Sequence, residues 1–404
     1  MTTPAPSPDK LPRTIWYLTL TSLLTDVSSE MLINLVPLYL FNVLGVRTSV
    51  IGLIEGIAEA TASLLKVFSG WQSDRTRRRK PLTVLGYGVS ALAKPFFALV
   101  TTWQGVLTVR FAERIGKGIR TAPRDALIAN SVQSSQRGRA FGIHRAGDTL
   151  GAFLGLGIAL LIVAATQSGT TLTRETFQLA TLISFIPAAL AVLILLFGVR
   201  ETLSTTAPTQ ARLPLSFRRL SPKLRAYLFI VLVFTLGNSA DAFLILRAQE
   251  RGLSVLGVLA MLMSFNLVYT LVSVPAGALS DRLGRRRLII AGWAIYALIY
   301  LGFAAATDVW QIWLLYAAYG IYYGIFEGVT KALVGDLTDP AERGTAYGAY
   351  NTAIGLAALP ASLIAGVLWQ GIGGWMGFGA SAPFLFGALM ALLALVLFVT
   401  WNPQ

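Results

Sequence analysis

The sequence predicts an all-α membrane protein of about twelve transmembrane helices in two pseudo-symmetric six-helix bundles. Three observations carry this. Hydrophobic residues fill 55% of the 404 positions and charged residues only 13%, with a mean hydropathy of +0.65, beyond what a soluble fold of this length carries. Apolar runs of roughly 20 residues, the length that crosses a bilayer, recur along the whole chain. They are apolar nearly all round rather than along one stripe, so lipid is their solvent. Finally, a basic loop is duplicated. The stretch from Gly70 through Asp74 and Arg75 to Lys80 returns from Gly277 through Asp281 and Arg282 to Arg287, both glycines and both aspartates lying 207 positions apart. Two such loops at equal depth mark a repeated unit.

The apolar runs fall at 14–43, 48–69, 81–102, 104–131, 139–165 and 176–199 in the first half. In the second they fall at 225–246, 252–275, 287–306, 309–334, 345–370 and 380–401. A Thr-, Pro-, Ser- and Arg-rich connector separates them, so the expected division is a bundle over 1–199, a linker over 200–224 and a bundle over 225–404. A second repeat supports it: Asp125 to Asn130 and Gln136 to Gly142 align with Lys331 to Asp336 and Glu342 to Gly348, at an offset of 206. Lys and Arg crowd alternate loops (Lys10 and Arg13; Arg75 to Lys80; Arg137 and Arg139; Arg212 to Arg225; Arg282 to Arg287), while the intervening loops are nearly bare apart from Arg47, Arg174 and the Arg247, Glu250, Arg251 group. That is the positive-inside pattern, and it places both termini in the cytoplasm.

The net charge of +14 therefore reports membrane topology, and no nucleic-acid partner is expected. Absence of cysteine removes disulfides, thiolate metal sites and redox chemistry. The opening Met1 to Lys10 lacks the apolar core of a secretory signal, so the first span is expected to be retained. No HExxH, GxSxG or Walker-type pattern occurs, so neither enzyme chemistry nor ATP-driven pumping is expected within the chain.

The duplicated loop resembles motif A of the major facilitator superfamily, with Arg77 where the second copy has Gly284. The resemblance covers the whole chain: two six-helix halves in parallel repeat, cytoplasmic termini and a polar connector. The stretch Arg110 to Gly116 in the fourth span is similar to motif B, with Arg114 at a position usually glycine. Gly151 and Gly155 in the fifth resemble the exporter motif C, with Ala152 in place of its proline. The strings Asp26 to Met31 and Gly118 to Asp125 resemble a bacterial efflux-type branch. The resemblance implies the superfamily fold, residence in a bacterial inner (plasma) membrane, and a gating role for Gly70, Asp74, Arg75, Gly277, Asp281 and Arg282. Asp74 and Arg75 would latch the halves on the cytoplasmic side.

A charge inside a lipid-facing helix costs several kcal/mol, so charged residues within spans should face the bundle interior and be paired. Asp26, Glu30 and Asn34 share one face of the first span, and Glu55, Glu59 and Lys66 share one of the second; Lys94 precedes Pro95 in the third. In the fourth, Arg110, Arg114, Lys117, Thr121 and Arg124 form a cationic stripe with Glu113 and Arg120 at its edge. Asp148 precedes Gly151 and Gly155 in the fifth, Asn238 and Asp241 lie in the seventh, and Glu327 and Lys331 in the tenth.

Two readings of the stripe stand. In one, Arg110, Arg114, Lys117 and Arg124 neutralise Asp26, Glu30, Glu55 and Glu59. In the other, some of these cations face a cavity and attract an anionic group. Glu30, Glu59, Asp148, Asp241 and Glu327 are each either a static ion-pair partner or a proton carrier. His144 reads as a boundary hydrogen-bonding residue. Tyr316, Tyr319, Tyr322, Tyr323 and Phe326 either line a cavity or form a packing stripe.

The expected function is secondary transport by alternating access: proton-coupled export of a small amphipathic or anionic organic solute by a monomer in the bilayer, needing no cofactor beyond an ion gradient. A carboxylate whose surroundings change can take up and release a proton as the halves move. The efflux-branch resemblance favours export, and the missing motif C proline opposes it. An importer or exchanger of phosphorylated or carboxylated solutes would use the same cations as ligands. A divalent-metal exporter would have only carboxylates such as Asp26, Glu30 and Asp241.

Overall fold

The computed structural model describes residues 11–76, 78–133, 136–201, 220–338 and 343–401; the side chains of 274–283, 327, 328, 331 and 343–345 lie outside the described residues. The first half comprises α1 (Arg13–Ile33), α2 (Leu35–Leu38), a π-turn (Tyr39–Val43), α3 (Thr48–Thr76), α4 (Arg79–Ala93), a 3-10 turn (Lys94–Ala98), α5 (Trp103–Asn130), α6 (Arg137–Thr166) and α7 (Arg174–Gly198). The second comprises α8 (Pro222–Gly237), α9 (Ala242–Glu250), α10 (Val255–Leu283), α11 (Arg285–Ala305), α12 (Val309–Asp336), α13 (Arg343–Gln370) and α14 (Ala382–Thr400). No strand occurs among the described residues. Eight of these segments are long and apolar enough to cross a membrane.

Three of the expected runs are interrupted, each for a local reason. The first breaks at Asn34, where Pro37 has no N–H to offer the carbonyl of Ile33. The third tightens to a 3-10 turn from Lys94, because Pro95 likewise withdraws a donor. The seventh stops at Gly237 and resumes at Ala242. Asn238 and Ser239 are residues whose side chains compete for backbone bonds, and the Ala240 N–H donates to Ser362 Oγ of α13 at 3.2 Å instead. Helix α8 begins at Pro222, inside the stretch 200–224 read as linker. Ser221 caps it, its Oγ accepting from the Leu224 N–H at 3.2 Å. At the linker's other end, the Glu201 carboxylate accepts the Arg79 and Lys80 backbone N–H groups at 3.1 and 2.9 Å, an anion seated on a helix N-terminus.

In the first half α1 packs on α6 and α7, and α5 on α3 and α4; in the second α10 packs on α12, and α14 on α8 and α11. The halves meet along α3–α13 and α6–α10. Small residues set the α3–α13 approach. A Cβ on Gly52 would overlap the Ser362 carbonyl oxygen, and one on Gly56 would come within 2.8 Å of Leu359 Cα. Several bonds between the halves lie toward the bare loops. Arg47 Nη1 donates to the Gly373 carbonyl and the Thr48 N–H to Gln370 Oε1, both at 2.8 Å. The Val255 N–H donates to the Thr170 carbonyl at 3.1 Å. Nearer the basic loops, Arg145 Nη2 donates to the Tyr269 hydroxyl at 2.5 Å, so bonds join the halves at more than one depth.

Replacing Gly52 with valine places methyl groups where the Ser362 backbone lies and is expected to unseat α13 from α3. Because the chain has no cysteine, a single Asn238→Cys probe reports this cleanly. In Gly52→Val, a membrane-impermeant maleimide added from the bare-loop side should label that probe several-fold faster than in the parent. Equal rates would show that another contact closes that side.

Candidate functional site

The breaks in the first and seventh spans face each other across a cavity of about 390 Å³ between the halves. Asn34 and Asn238, one at each break, both line it. In a bilayer, irregular backbone is tolerated only where it is covered by protein or lines a polar space. Each asparagine is held from its own half. Asn34 Nδ2 donates to Glu30 Oε2 at 3.1 Å, and Asn238 Oδ1 accepts from the Tyr296 hydroxyl at 3.2 Å.

Among the described residues, four carboxylates (Glu30, Glu55, Glu59 and Asp241) and one cation, Arg114, line this cavity. Two of the four are tied to the cationic stripe of α5. Arg110, 3% exposed, lies 2.9 Å from Glu55 and 3.2 Å from Glu113. Arg114, 1% exposed, lies 3.0 Å from Glu59 and 3.5 Å from Glu113. Glu30 and Asp241 have only neutral partners within bonding distance among the described residues: the Asn34 amide for one, and the Tyr319 hydroxyl at 3.4 Å for the other.

Behind Glu30 and Arg114, inside the first half, a smaller chamber of about 50 Å³ brings together Asp26, Lys94, Arg110, Lys117 and Arg120. Lys94 is 2% exposed and donates to Ser28 Oγ at 2.5 Å and Ser29 Oγ at 3.1 Å rather than to a carboxylate. Lys117 has no carboxylate within ion-pair distance among the described residues. The stripe is thus neutralised at Arg110 and Arg114 by Glu55 and Glu59, as one reading expected. Arg124 departs from it: its partner is Asp125, the next residue, at 2.8 Å, with Ser22 Oγ at 3.1 Å, not a carboxylate of α1. Arg120 sits with its guanidinium 4.5 Å from the Tyr87 ring centre.

Arg124 and Asp148 line neither space. Asp148 pairs with His144 at 3.4 Å on α6, giving His144 the bonding role its position suggested. Gly151 and Gly155 let α6 lie against the α1 backbone at Leu23 and Val27. In the first basic loop, Asp74 is exposed and pairs with Arg79 at 3.4 Å, while Arg75 lies 5.4 Å from the Trp71 ring; both partners belong to the same half. Gly70 allows α3 to approach Ala122 of α5. The side chains of Gly277, Asp281, Arg282, Glu327 and Lys331 lie outside the described residues. Of the tenth-span aromatics, Tyr316 and Tyr323 line the central cavity, and Tyr319 is packed beneath with its hydroxyl toward Asp241. Tyr322, Tyr323 and Phe326 line a separate chamber in the second half.

Sequence reasoning left Glu113 at the edge of the stripe, although it is the acid shared by two buried arginines. Its spacing, three residues after Arg110 and directly before Arg114, held the signal. Ser28 and Ser29, the partners of Lys94, carried none. Replacing Glu113 with glutamine takes from each of two buried guanidiniums one of its two carboxylate partners and is expected to cost about 1.5–3 kcal/mol, read as a lower unfolding temperature in detergent. Asp241→Asn should move that temperature little. A Glu113→Gln protein as stable as the parent would show that Glu55 and Glu59 suffice alone.

The comparisons with known proteins agree with this architecture. Residues 18–265 and 228–404 match the sequence model of the Major Facilitator Superfamily. An uncharacterised MFS-type transporter of Methanocaldococcus jannaschii is 36% identical over 402 residues, covering 96% of each chain. A mutant of the nucleoside transporter NupG superposes with a TM-score of 0.79 at 15% identity, covering 96% of this chain and 99% of that one. A POT family transporter in complex with 5-aminolevulinic acid also reaches 0.79, at 14% identity and over 97% and 96% of the two chains. The helices, the repeated loops and the cavity between the halves together identify this multi-pass membrane protein as a secondary transporter belonging to the Major Facilitator Superfamily.

Proposed function

We propose that this transporter exports a small amphipathic organic solute in exchange for protons. The observation that carries the reading is the state of the four cavity carboxylates. Glu55 and Glu59 are bound to Arg110 and Arg114, so protonating them would leave a buried arginine unpaired, which is costly. Glu30 and Asp241 are held by neutral groups. An amide or hydroxyl neighbour bonds either a carboxylate or a carboxylic acid, so these two can gain and lose a proton while the frame around them stays intact. One lies in each half, at the break of its first helix, where rocking of the halves changes their surroundings together. Asp26, Lys94 and Lys117 extend the proton-sensitive cluster behind Glu30.

The same wall favours an amphipathic solute bearing a basic group over an anionic one, since Arg114, the one cation among the described residues lining the central cavity, is already paired with Glu59. Sidedness follows from the basic loops. On this reading the bare loops are external, the basic loops are cytoplasmic, and the efflux-type strings give the direction. A second reading, exchange of phosphorylated or carboxylated solutes, draws on Lys94 and Lys117, neither of which has a carboxylate within ion-pair distance among the described residues.

Vesicles whose outer face is the cytoplasmic face test both. An acid interior should drive uptake of N-methylacridinium, a planar aromatic cation of fixed charge. Glu30→Gln and Asp241→Asn should each lower that gradient-driven uptake about tenfold or more. Uptake indifferent to the pH gradient would remove proton coupling. Uptake of 2-naphthalenesulfonate instead would establish the anion reading.

A further inference from the structure

The second half contains a chamber of about 290 Å³ that adjoins the central cavity. Thr235, Asn238, Tyr323 and Ile354 line both. Among the described residues, those that line it are uncharged, and six are aromatic: Phe234, Trp293, Tyr322, Tyr323, Phe326 and Tyr350. In lipid-embedded helices, aromatic rings that only fill space leave no chamber between them. Here a volume the size of a small ligand site remains open among four helices.

Its walls are braced. Phe234 of α8 stacks on Trp293 of α11 with ring centres 5.0 Å apart and planes within 14°. Tyr322 and Phe326 stack one turn apart on α12 at 4.9 Å and 15°. The Phe326 ring lies over Gly292, where any Cβ would collide with it, so α11 fixes that ring from behind. The Tyr350 hydroxyl donates to Thr330 Oγ1 at 3.2 Å. Asn351 Nδ2 donates to the Tyr347 carbonyl at 2.9 Å, which leaves its amide a further donor and acceptor for a ligand. At the mouth stands Asn238, and three residues on is Asp241 of the central cavity, with no cation within ion-pair distance among the described residues.

We propose that this chamber is a subsite for a flat aromatic ring, and that the substrate is a planar aromatic cation whose charge remains in the central cavity near Asp241 and Glu30. The proposal rests on the export reading above and supplies its substrate class. Flat rings stack on flat, rigid aromatic walls at little entropic cost, and a cationic ring gains further from their faces. An aliphatic cation of similar charge reaches the carboxylates but leaves the chamber empty. A planar anion fits the chamber but meets uncompensated acid at its mouth.

Calorimetric titration of the full chain in nanodiscs tests this with N-methylacridinium, tetrabutylammonium and 2-naphthalenesulfonate as probes. N-methylacridinium should bind the parent most tightly. Asn351→Phe, which fills the chamber, and Phe326→Ala, which removes a wall, should each weaken it about tenfold, or ~1.4 kcal/mol. Tetrabutylammonium affinity should stay within about twofold in both variants, which also certifies that the central cavity is folded. Equal loss for the two cations, unchanged N-methylacridinium affinity in both variants, or no binding to the parent overturns the subsite. Tight, chamber-dependent binding without pH-driven transport would instead leave the subsite standing and remove the export reading.

Discussion

The interaction on which the rest depends is the sharing of Glu113 between Arg110 and Arg114, 3.2 and 3.5 Å away. Two guanidiniums buried in a membrane helix are intolerable unless each is neutralised and hydrogen-bonded. Glu113 lies on α5 itself and cannot do this for both. Glu55 and Glu59, one turn apart on α3, complete the set. The positions of α3 and α5 are therefore fixed relative to one another by charge, over most of the depth at which the cavity lies. Because α3 is also the helix that meets α13, the electrostatic frame of one half sets where the seam between halves runs.

That seam is built from different physics. Along α3–α13 the contacts are close backbone approaches at Gly52 and Gly56 and a few bonds near the bare loops, such as Thr48 to Gln370. Such contacts separate without exposing an unpaired charge. Within the first half, by contrast, moving α3 from α5 would break several buried ion pairs at once. Rocking along the seam is the lower-cost motion, and the charged frame travels as a unit. The second half is stiffened by stacked rings, Phe234 on Trp293 and Tyr322 on Phe326, and by the buried Arg247, which pairs with Glu250 and donates to the Phe303 and Ala304 carbonyls.

Much of this was legible in the sequence. The spans, their order, the repeated basic loops and the polar faces of the first, second and fourth helices follow from hydropathy and periodicity, because lipid admits so few backbone solutions. The breaks were less so: Pro37 and Pro95 announce a weakened helix, but only the Ser362 hydroxyl waiting for Ala240 explains why the seventh span opens at Asn238. Pairing was legible where partners share a face and depth, as for Arg110 with Glu55. It failed for Arg124, since helical spacing says which way a side chain points and not whether a nearer acid, Asp125, captures it first. The basic loop was recognisable by pattern, whereas the partner that Asp74 holds, Arg79, depends on how α3 and α4 meet.

The two asparagines show how symmetry and asymmetry divide the labour. Asn34 and Asn238 sit at the breaks of corresponding helices, each with an acid close by in sequence, Glu30 on one side and Asp241 on the other. The cavity's two lips therefore carry the same chemistry, an amide and a carboxylate apiece, although at the repeat offset of 206–207 neither the two amides nor the two carboxylates fall on each other. What stands behind each lip has diverged. Behind Glu30 lie Asp26, Lys94 and Lys117 in a small charged chamber; behind Asn238 lies a neutral aromatic one. A buried charge is sensitive to protons and a ring stack is not, while a ring stack discriminates shape and a cluster of paired ions does so poorly. This chain keeps the two kinds of wall in opposite halves, the charged one beside Glu30 and the aromatic one beside Asn238, both in reach of one cavity.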